Sequence, residues 1–355
     1  MDKYRIDSHK LLFHPQRVAD WLNGKQIYPL YMEASPSGAC NHRCIMCGLD
    51  FMGYVPKFYD VEKWDERLRE MSGLGLKSIM YAGEGEPFLH KRFSEIVSLT
   101  KKAGVDVAIT TNAVLFTPEK AVPVMRDTSW IKVSINAGTP ATYAKIHRTN
   151  ERDFKTVMTN MAHADSERKR LGLGCTLGMQ MLLLPENAGE AVGLAQKAKE
   201  TGMDYLVIKP YSQHPQSITN QYSEVEYRQW LPLSEELDKI SDNRFQVIFR
   251  INTMIKWDEK EKPYDRCCSL PFWSYVDSEG FVWGCSMYLR DERFRYGNLF
   301  QTSFKEIWEG PARKKNLEFM EKELDPGLCR INCRMDEVNR YLWELMHPAA
   351  HVNFI

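Results

Sequence analysis

The 355-residue sequence carries no excess charge of either sign, because 47 acidic residues balance 47 basic residues, and it has no long run of like charge. We therefore expect no broad surface for nucleic acid or for an anionic membrane. No stretch approaches the roughly 18 apolar residues that a transmembrane helix requires, so no membrane span is predicted. Internal repeats and low-complexity segments are also missing.

The first fifteen residues, MDKYRIDSHKLLFHP, lack the apolar core of a signal peptide, so we expect a cytoplasmic protein. Thiols stay reduced in that compartment, and clustered cysteines there favour metal binding over disulfides. The length suits one large domain, or a large one with a small appendage, with a core that needs no disulfides.

Nine cysteines are present, an odd number that a closed disulfide framework would not favour. They form one group before residue 50 and another after residue 265, and Cys175 stands alone between them. The first group is Cys40, Cys44 and Cys47, and the second is Cys267, Cys268, Cys285, Cys329 and Cys333.

Short apolar runs alternate with helical patterns from residue 28 to about 210, which predicts parallel strands joined by right-handed helical crossovers. Six such units are too few for a closed eight-fold barrel. We predict an α/β fold with an open partial (β/α)6 barrel, and a flat doubly wound sheet is the competing arrangement. The predicted strands are Leu30–Ala34, Ser78–Ala82, Val105–Thr110, Ile131–Ile135, Thr176–Leu183 and Tyr205–Ile208.

The composition divides the chain into an N-terminal extension (1–27), the barrel (28–220), a connecting segment (221–260) and a small cysteine-rich α+β domain (261–355). The run Phe245–Ile251 is a candidate for a further strand. In the last segment, WSYVDSEGFVWGC predicts a β-hairpin around Ser278–Gly280.

The first cysteine group has the spacing C-x3-C-x2-C within GACNHRCIMCG. A cubane cluster usually takes one thiolate per iron, so three cysteines would leave one iron without a protein ligand. Catalytic metal sites retain such an open position. The alternatives are structural zinc with His42 as a fourth ligand, and three unrelated buried cysteines.

This motif, in the loop after the first predicted strand, resembles the signature of the radical S-adenosylmethionine (SAM) superfamily. The resemblance implies that Cys40, Cys44 and Cys47 hold a [4Fe-4S] cluster whose open iron binds SAM. Reduction of the cluster then yields methionine and a 5′-deoxyadenosyl radical, which takes a hydrogen atom from the substrate. The family usually has an aromatic residue before the third cysteine, near the adenine, and here the soft apolar Met46 replaces it.

The segment AGEGEP, from Ala82 to Pro87, resembles the family's Gly-Gly-Glu-Pro motif, which contacts the SAM amino group. A plain strand-to-helix loop is the alternative. The other candidates lie at or near the carboxyl ends of predicted strands, where barrel enzymes place their chemistry. The predicted SAM-binding residues are Met46, Gly85, Glu86, Asn112, Ser134, Arg148 and Gln180.

In the second group, four thiolates would complete a closed cluster, and four-cysteine structural zinc is the alternative. The pattern CSLPFW, G-x4-C, GN…EIW and CRINC resembles the SPASM and twitch extensions of radical SAM enzymes. No cysteine follows Cys333, so the match is to the one-cluster twitch type. The resemblance implies a second [4Fe-4S] cluster, and the position relative to Pro271 favours Cys268 over Cys267. The predicted ligands are Cys268, Cys285, Cys329 and Cys333.

An auxiliary cluster can accept an electron from a substrate radical, so the resemblance points to oxidation of an alcohol. A base would take the hydroxyl proton, and the candidates are Tyr211 and His214, with Arg250 placed to stabilise an alkoxide. A spare thiol, Cys267 or Cys175, could instead donate a hydrogen atom in an epimerisation. The alternatives are solvated polar residues and a buried apolar cysteine.

The expected substrate is a small polar molecule such as a sugar, cyclitol or nucleotide sugar, with an external electron donor such as flavodoxin or ferredoxin. Only 39 residues precede Cys40, so we expect no leader-peptide-binding domain. Peptide or protein modification is the second hypothesis. A non-enzymatic iron–sulfur or zinc protein, and a zinc-stabilised barrel with hydrolase chemistry, are hypotheses of other classes.

Overall fold

The structure is a computed structural model that describes residues 3–354. Its centre is one sheet of ten strands in the order β10-β9-β8-β1-β2-β3-β4-β5-β6-β7. The strands are β1 (Tyr31–Ala34), β2 (Ser78–Tyr81), β3 (Asp106–Thr111), β4 (Trp130–Ser134), β5 (Thr176–Leu183), β6 (Tyr205–Pro210), β7 (Gln246–Phe249), β8 (Trp273–Val276), β9 (Phe281–Trp283) and β10 (Arg295–Asn298).

Strands β1 to β7 are all parallel and lie side by side in chain order. A doubly wound sheet would reverse its strand order at a switch point, and this sheet does not. The predicted partial barrel is therefore confirmed. The apolar run Phe245–Ile251 contributes β7, which extends the six predicted strands by one.

Helices connect the strands and cover the sheet, and their starts follow local signals. Asp60 caps α2 by accepting the backbone N–H of Lys63 at 3.0 Å. The helices are α1 (Pro15–Leu22), α2 (Val61–Gly73), α3 (Phe93–Lys102), α4 (Pro118–Arg126), α5 (Pro140–His147), α6 (Glu151–Leu171), α7 (Ala191–Glu200), α8 (Leu233–Asp238), α9 (Ile251–Glu259), α10 (Phe304–Glu309), α11 (Pro311–Lys322) and α12 (Asp336–Met346).

The two faces of the sheet differ, as β4 shows. Ile131 and Val133 are fully buried and belong to the main apolar core. Lys132 and Ser134 alternate with them and are only half-buried, so they lie on the opposite face. We call this second face, which the open barrel curves around, the inner face of the sheet.

The C-terminal segment joins the same sheet. Strand β8 pairs in parallel with β1, with Ala34 opposite Val276, and continues through the predicted hairpin into β9. The carboxylate of Glu70 on α2 accepts the backbone N–H groups of Phe304 and Lys305 at 3.0 and 2.8 Å, which fixes the start of α10 against the barrel. The second cysteine group is thereby held at a fixed position relative to the first.

Within residues 3–354, the longest helix is α6, and none of the helices combines the length and apolar character that crossing a membrane would require.

Candidate functional site

The loop after β1 gathers the three cysteines of the first group. All three thiols are partly accessible and unpaired. Burial raises the pKa of Cys44 well above its usual value, and the neighbouring Cys47 and Cys40 raise it further. Burial likewise raises the pKa of Cys40 to about 12. Cysteines bind metal as thiolates, so a positive metal centre among these thiols would offset the free-energy cost of deprotonating them.

The spacing of these thiols tests the zinc alternative. Two thiolates on one zinc lie at most about 4.6 Å apart, twice the Zn–S distance. Among the described residues, one set of three such ligand atoms lies within 4.8 Å of one another, and it consists of His42, Cys44 and His147. The sulfurs of Cys40, Cys44 and Cys47 are not such a set, so the structure gives no support to a single zinc ion held by these three thiols.

One ring nitrogen of His147 and one of His42 lie within 4.8 Å of Cys44 Sγ. The Nδ1 atom of His147 lies 3.1 Å from Cys44 Sγ, and its Nε2 lies 3.0 Å from the carbonyl of Ile135. That carbonyl can only accept, so Nε2 carries the proton and Nδ1 faces the sulfur. A single ion bound by the two histidines and Cys44 would compete with a cluster for the same thiolate.

Gly85 packs directly against the cysteine loop. A Cβ atom at this position would lie 2.1 Å from the carbonyl oxygen of Ala39 and 2.5 Å from that of Ser37. The next residue, Glu86, donates its backbone N–H to the same Ala39 carbonyl at 2.8 Å. The Gly-Glu-Pro segment therefore supports the residue before Cys40, and only glycine permits this approach.

The carboxylate of Glu86 organises the loops after β2 and β3. It accepts the hydroxyl of Thr111 at 2.6 Å and the backbone N–H of Asn112 at 2.8 Å, besides that of Phe88 at 3.2 Å. The Asn112 amide then reaches Asn41 Oδ1 in the cysteine loop at 2.7 Å. Glu86 is thus occupied within the protein and positions these loops.

The remaining predicted SAM-binding residues lie around the same loop. Ser134 ends β4, and its register partner Gln180 lies within β5, which continues to Leu183. Met46 belongs to a small apolar cluster with Tyr211, next to Cys44. Arg148 ends α5 in the left-handed conformation, and its charge lowers the pKa of Cys44 against the larger effect of burial. The structure brings these residues to the carboxyl edge of the sheet.

The second cysteine group lines a pocket in the C-terminal segment. Four cysteines contribute to it, together with aromatic and apolar side chains that exclude water. The lining residues are Tyr264, Cys267, Ser269, Leu270, Trp273, Cys285, Met287, Tyr288, Phe294, Met320, Leu324, Pro326, Cys329, Arg330, Cys333, Met335 and Asn339.

The two adjacent cysteines lie in different surroundings, which favour Cys267 over the predicted Cys268 as a ligand. Cys267 lines the pocket, and its proximity raises the pKa of Cys285, Cys329 and Cys333 in addition to the larger effect of burial. Cys268 is instead packed in a separate apolar cluster. Cys267 is not part of that cluster, and Cys268 is not among the residues that line the pocket. The predicted assignment of Cys268 is therefore not supported.

Hydrogen-bond donors surround the four thiols of the pocket. The Asn339 amide lies 3.6 Å from Cys267 Sγ, and the hydroxyl of Tyr288 lies 3.2 Å from Cys329 Sγ. The backbone N–H of Met287 donates to Cys285 Sγ at 3.4 Å. Donors of this kind stabilise negative charge on cluster sulfurs and tune the potential.

The proposed bases are less suited to proton abstraction than the sequence implied. Burial raises the pKa of Tyr211 to about 12, so its hydroxyl stays protonated. His214 accepts the N–H of Gln216 through Nδ1, and its Nε2 lies 3.3 Å from the carbonyl of Ser286, so neither nitrogen is free. Cys175 lies in the main core, as expected for a buried apolar cysteine.

Arg250 begins α9 at the end of β7 and donates from Nε to Asp7 at 2.8 Å. The ion pair holds its guanidinium in place, and the group remains positively charged. Cys267 belongs to the four-cysteine pocket, so the structure favours it as a cluster ligand over a free hydrogen-atom donor.

Residues 211–217, the loop after β6, touch both cysteine groups. The hydroxyl of Ser217 donates to the carbonyl of Cys47 at 3.1 Å. The hydroxyl of Ser212 donates to the carbonyl of Asn332, between Cys329 and Cys333, at 3.2 Å. The two groups therefore flank one loop at the carboxyl edge of the sheet.

Several functional candidates escaped the sequence analysis. The side chain of Asn339, in α12, contacts both cysteines of the adjacent pair Cys267 and Cys268. Glu84 accepts both the backbone N–H and the hydroxyl of Ser278 in the C-terminal hairpin. Lys132 occupies the middle of an otherwise largely apolar strand, WIKVS. A charged residue at such a position is a sequence signal for a functional role.

Two family profiles match the chain. The radical SAM superfamily matches residues 34–198, and the SPASM iron–sulfur cluster-binding domain matches residues 267–334. The first range contains the cysteine trio with the Gly-Glu-Pro segment, and the second contains the four-cysteine pocket.

Curated relatives carry named activities. The GTP 3′,8-cyclase of Caulobacter vibrioides is 26% identical over 202 residues, which cover 54% of this chain and 55% of the relative. The tungsten-containing aldehyde ferredoxin oxidoreductase cofactor-modifying protein of Pyrococcus furiosus is 34% identical over 100 residues, 25% of each chain. The matched region spans 55% and 57% of the first two relatives, both GTP 3′,8-cyclases.

Solved structures share the fold. Streptococcus suis SuiB bound to its precursor peptide SuiA has a TM-score of 0.65 at 13% identity, covering 84% of this chain and 69% of that one. The protein anSMEcpe with bound AdoMet has a TM-score of 0.59 at 20% identity, covering 82% and 83%.

The two profiles imply SAM and [4Fe-4S] clusters as cofactors, and the two cysteine groups, the close approach at Gly85 and the N–H···S donors fit such groups. The chain therefore carries a radical SAM domain over residues 34–198 and a SPASM iron–sulfur cluster-binding domain over residues 267–334.

Proposed function

We propose that this chain is a radical SAM oxidoreductase that removes a hydrogen atom from a small polar substrate, an alcohol, and passes the resulting electron towards its four-cysteine pocket. The observation that carries this proposal is the loop of residues 211–217, which contacts Cys47 on one side and Asn332 on the other. A substrate held against this loop would have a cysteine group on either side.

We assign Cys40, Cys44 and Cys47 to the SAM-cleaving cluster, and Cys267, Cys285, Cys329 and Cys333 to the auxiliary cluster. When bound, the reduced first cluster and SAM supply a 5′-deoxyadenosyl radical, with one electron provided by an external donor such as flavodoxin or ferredoxin. Gly85 and Glu86 hold the cysteine loop, while Met46, Ser134, Arg148 and Gln180 surround the space for SAM.

The substrate radical must then lose one electron and its hydroxyl proton to form a carbonyl. The four-cysteine pocket provides the acceptor for that electron, since its backbone and side-chain donors stabilise added negative charge. Arg250 stabilises a developing alkoxide, and the Tyr211 hydroxyl donates a hydrogen bond to the substrate. The hydroxyl proton of the substrate passes to solvent, because Tyr211 remains protonated and does not accept it.

The named activity of the curated relatives, GTP cyclisation, is a reaction of a nucleotide, which supports a small polar substrate. A cytoplasmic location fits this assignment, because thiols stay reduced in that compartment and can bind metal as thiolates. Peptide modification, by oxidation or epimerisation, is the competing outcome in the experiment below.

The test is anaerobic reconstitution with iron and sulfide, followed by reduction in the presence of SAM. We expect about eight irons per chain, four for each cubane cluster, and release of 5′-deoxyadenosine. Replacing Cys40, Cys44 and Cys47 with alanine should abolish that release, whereas Cys175→Ala should retain it. Zinc at the trio, or clusters without any SAM cleavage, would refute the proposal and favour a non-enzymatic metal protein.

The reaction type is tested separately with candidate alcohols, nucleotides and peptides in deuterated water. Oxidation yields a carbonyl product without solvent deuterium at the reacting carbon. Epimerisation would leave deuterium there and would overturn the assignment as an oxidoreductase.

A further inference from the structure

The inner face of the sheet carries an unusual set of cations. Lys132 lies on β4 between the buried core residues Ile131 and Val133, so its side chain takes the opposite, inner side. On β6, Leu206 and Ile208 belong to the same core, and Lys209 follows them on the inner side. Two lysines in a parallel sheet therefore point away from the helices and into the barrel.

Three arginines that lie outside β4 and β6 are close enough to affect the charge of these lysines. Arg250 follows β7, the strand next to β6. Arg334 crosses from the C-terminal segment to β1, where its Nη2 lies 2.9 Å from Glu33 Oε2 and its Nη1 donates to the hydroxyl of Tyr31 at 3.3 Å. Arg330 lies between Cys329 and Cys333 and lines their pocket.

Two of these cations already have anionic partners. Glu33 pairs with Arg334, and Asp7 pairs with Arg250 through an Nε–Oδ1 distance of 2.8 Å. The ammonium groups of Lys132 and Lys209 form no hydrogen bond or ion pair within residues 3–354; that of Lys132 lies 5.5 Å from the ring centroid of Trp130. The Nε atom of Arg330 is buried without a hydrogen-bond partner in the same range.

Burial and neighbouring positive charges both lower the pKa values of the two lysines. Burial lowers the pKa of Lys132 to about 7, with a further contribution from Arg334 and Arg250. Burial also lowers the pKa of Lys209 far below its usual value, and Lys132, Arg250 and Arg334 add to the effect. Glu33 offsets only part of the repulsion at Lys132, so a bound anion would stabilise the remaining positive charge.

The position of the cations relates them to the reacting centre. Ser134 lies two residues beyond Lys132 on the same face of β4, about 7 Å further towards the carboxyl edge. A molecule anchored at Lys132 would therefore extend towards the edge where the cysteine loop follows β1.

We infer that Lys132, Lys209, Arg250, Arg330 and Arg334 form an anion site on the inner face, and that the substrate carries a diphosphate or longer polyphosphate bound there. This identification of the substrate class rests on the proposed function, whereas the anion site itself does not. One carboxylate would leave much of the positive charge unbalanced, whereas a polyphosphate offers several negative charges. Arginine forks suit phosphate oxygens, and lysine supplies a point charge.

The experiment uses the anaerobically reconstituted chain with both clusters and inorganic tripolyphosphate as the probe, measured by isothermal titration calorimetry at low salt. We expect Lys132→Met and Lys209→Met each to raise the Kd at least tenfold, and Lys132→Arg to restore most of the affinity. Lys91→Met, at an exposed position on the outside, is the control and should change the Kd less than twofold. GTP should bind at least a hundredfold more tightly than guanosine.

Equal binding by the wild type and both methionine variants would place the probe on surface cations and overturn the inference. A fall in iron content or in auxiliary-cluster potential in these variants, with unchanged probe affinity, would show that the cations only balance cluster charge and would also overturn it. The proposed function is judged separately by 5′-deoxyadenosine release without substrate. A chain that binds tripolyphosphate but never cleaves SAM would refute that function and leave the anion site standing.

Discussion

Asn339 holds Cys267 at the auxiliary pocket through a side-chain amide that lies 3.6 Å from the cysteine sulfur. Its other end, Oδ1, accepts the backbone N–H of Cys268 at 2.8 Å. One side chain therefore fixes the turn at both cysteines, and Cys268 faces the apolar cluster around Phe272 and Leu342.

Cys267→Ala should remove the auxiliary cluster, because the pocket would keep only three thiolates. We expect the iron content to fall from about eight to about four per chain after anaerobic reconstitution. Cys268→Ala should keep about eight irons and cost only a modest cavity penalty, on the order of 1 kcal/mol. Iron and sulfide analysis with Mössbauer spectroscopy distinguishes the two, and the reverse result would reinstate Cys268 as the ligand.

Gly85→Ala should disrupt the cysteine loop, because the new Cβ would lie 2.1 Å from the Ala39 carbonyl oxygen and the backbone would have to move. We expect at least tenfold weaker SAM binding and a reduced yield of the first cluster. The matched control is Gly193→Ala in α7, where nothing lies within 4 Å of the added atom. That change should raise the free energy of unfolding by up to about 1 kcal/mol. Equal SAM affinity in both variants would show that the approach at Gly85 has no role.

Much of the barrel was predictable, because its signals are local. The pattern from Thr176 to Leu183 predicts β5 with the bounds that the structure has, and the hairpin turn around Ser278–Gly280 follows from its turn residues. An apolar run bounded by turn residues depends only on residues that are neighbours in the sequence.

The remainder depends on contacts between distant parts of the chain. Strand β8 joins the free edge of β1 about 240 residues earlier, and no local pattern specifies that pairing. The choice of Cys267 depends on Asn339, 71 residues beyond Cys268. The cation group likewise combines residues from β4, β6 and the segment between Cys329 and Cys333. A lysine within one strand pattern could therefore indicate only one member of that group.

Glu86→Ala should destabilise the barrel, because Thr111, Asn112 and Phe88 would lose the carboxylate that accepts from them. Unsatisfied buried donors cost on the order of 1–3 kcal/mol each, so we expect a loss of about 3 kcal/mol in the free energy of unfolding. Glu62→Ala, which removes an exposed ion pair with Arg92, should cost less than about 1 kcal/mol. Urea unfolding of the cluster-free chain measures both, and similar losses would contradict this role of Glu86.

Glu84 predicts a pH dependence of the contact between the barrel and the C-terminal hairpin. Its carboxyl is buried, its Oε2 accepts the hydroxyl of Ser278 at 2.9 Å, and burial together with Asp277 raises its pKa to about 7. The folded chain therefore binds this proton more tightly than the unfolded chain, where the pKa is about 4.3. The contribution to stability is complete below about pH 4 and is lost as the pH rises through 7.

Glu84→Gln keeps an acceptor for Ser278 and cannot ionise, so it isolates this effect. Relative to the wild type, the variant should gain about 2 kcal/mol in the free energy of unfolding between pH 5 and pH 8. Glu200→Gln, at an exposed position, should show the same difference from the wild type at both values. Because Asp277 also carries a raised pKa, of about 6, the two carboxylates repel each other when both ionise. A pH-independent difference for Glu84→Gln would mean that the carboxyl keeps its charge in the folded chain, and that the hairpin contact is held by an ionised Glu84 throughout.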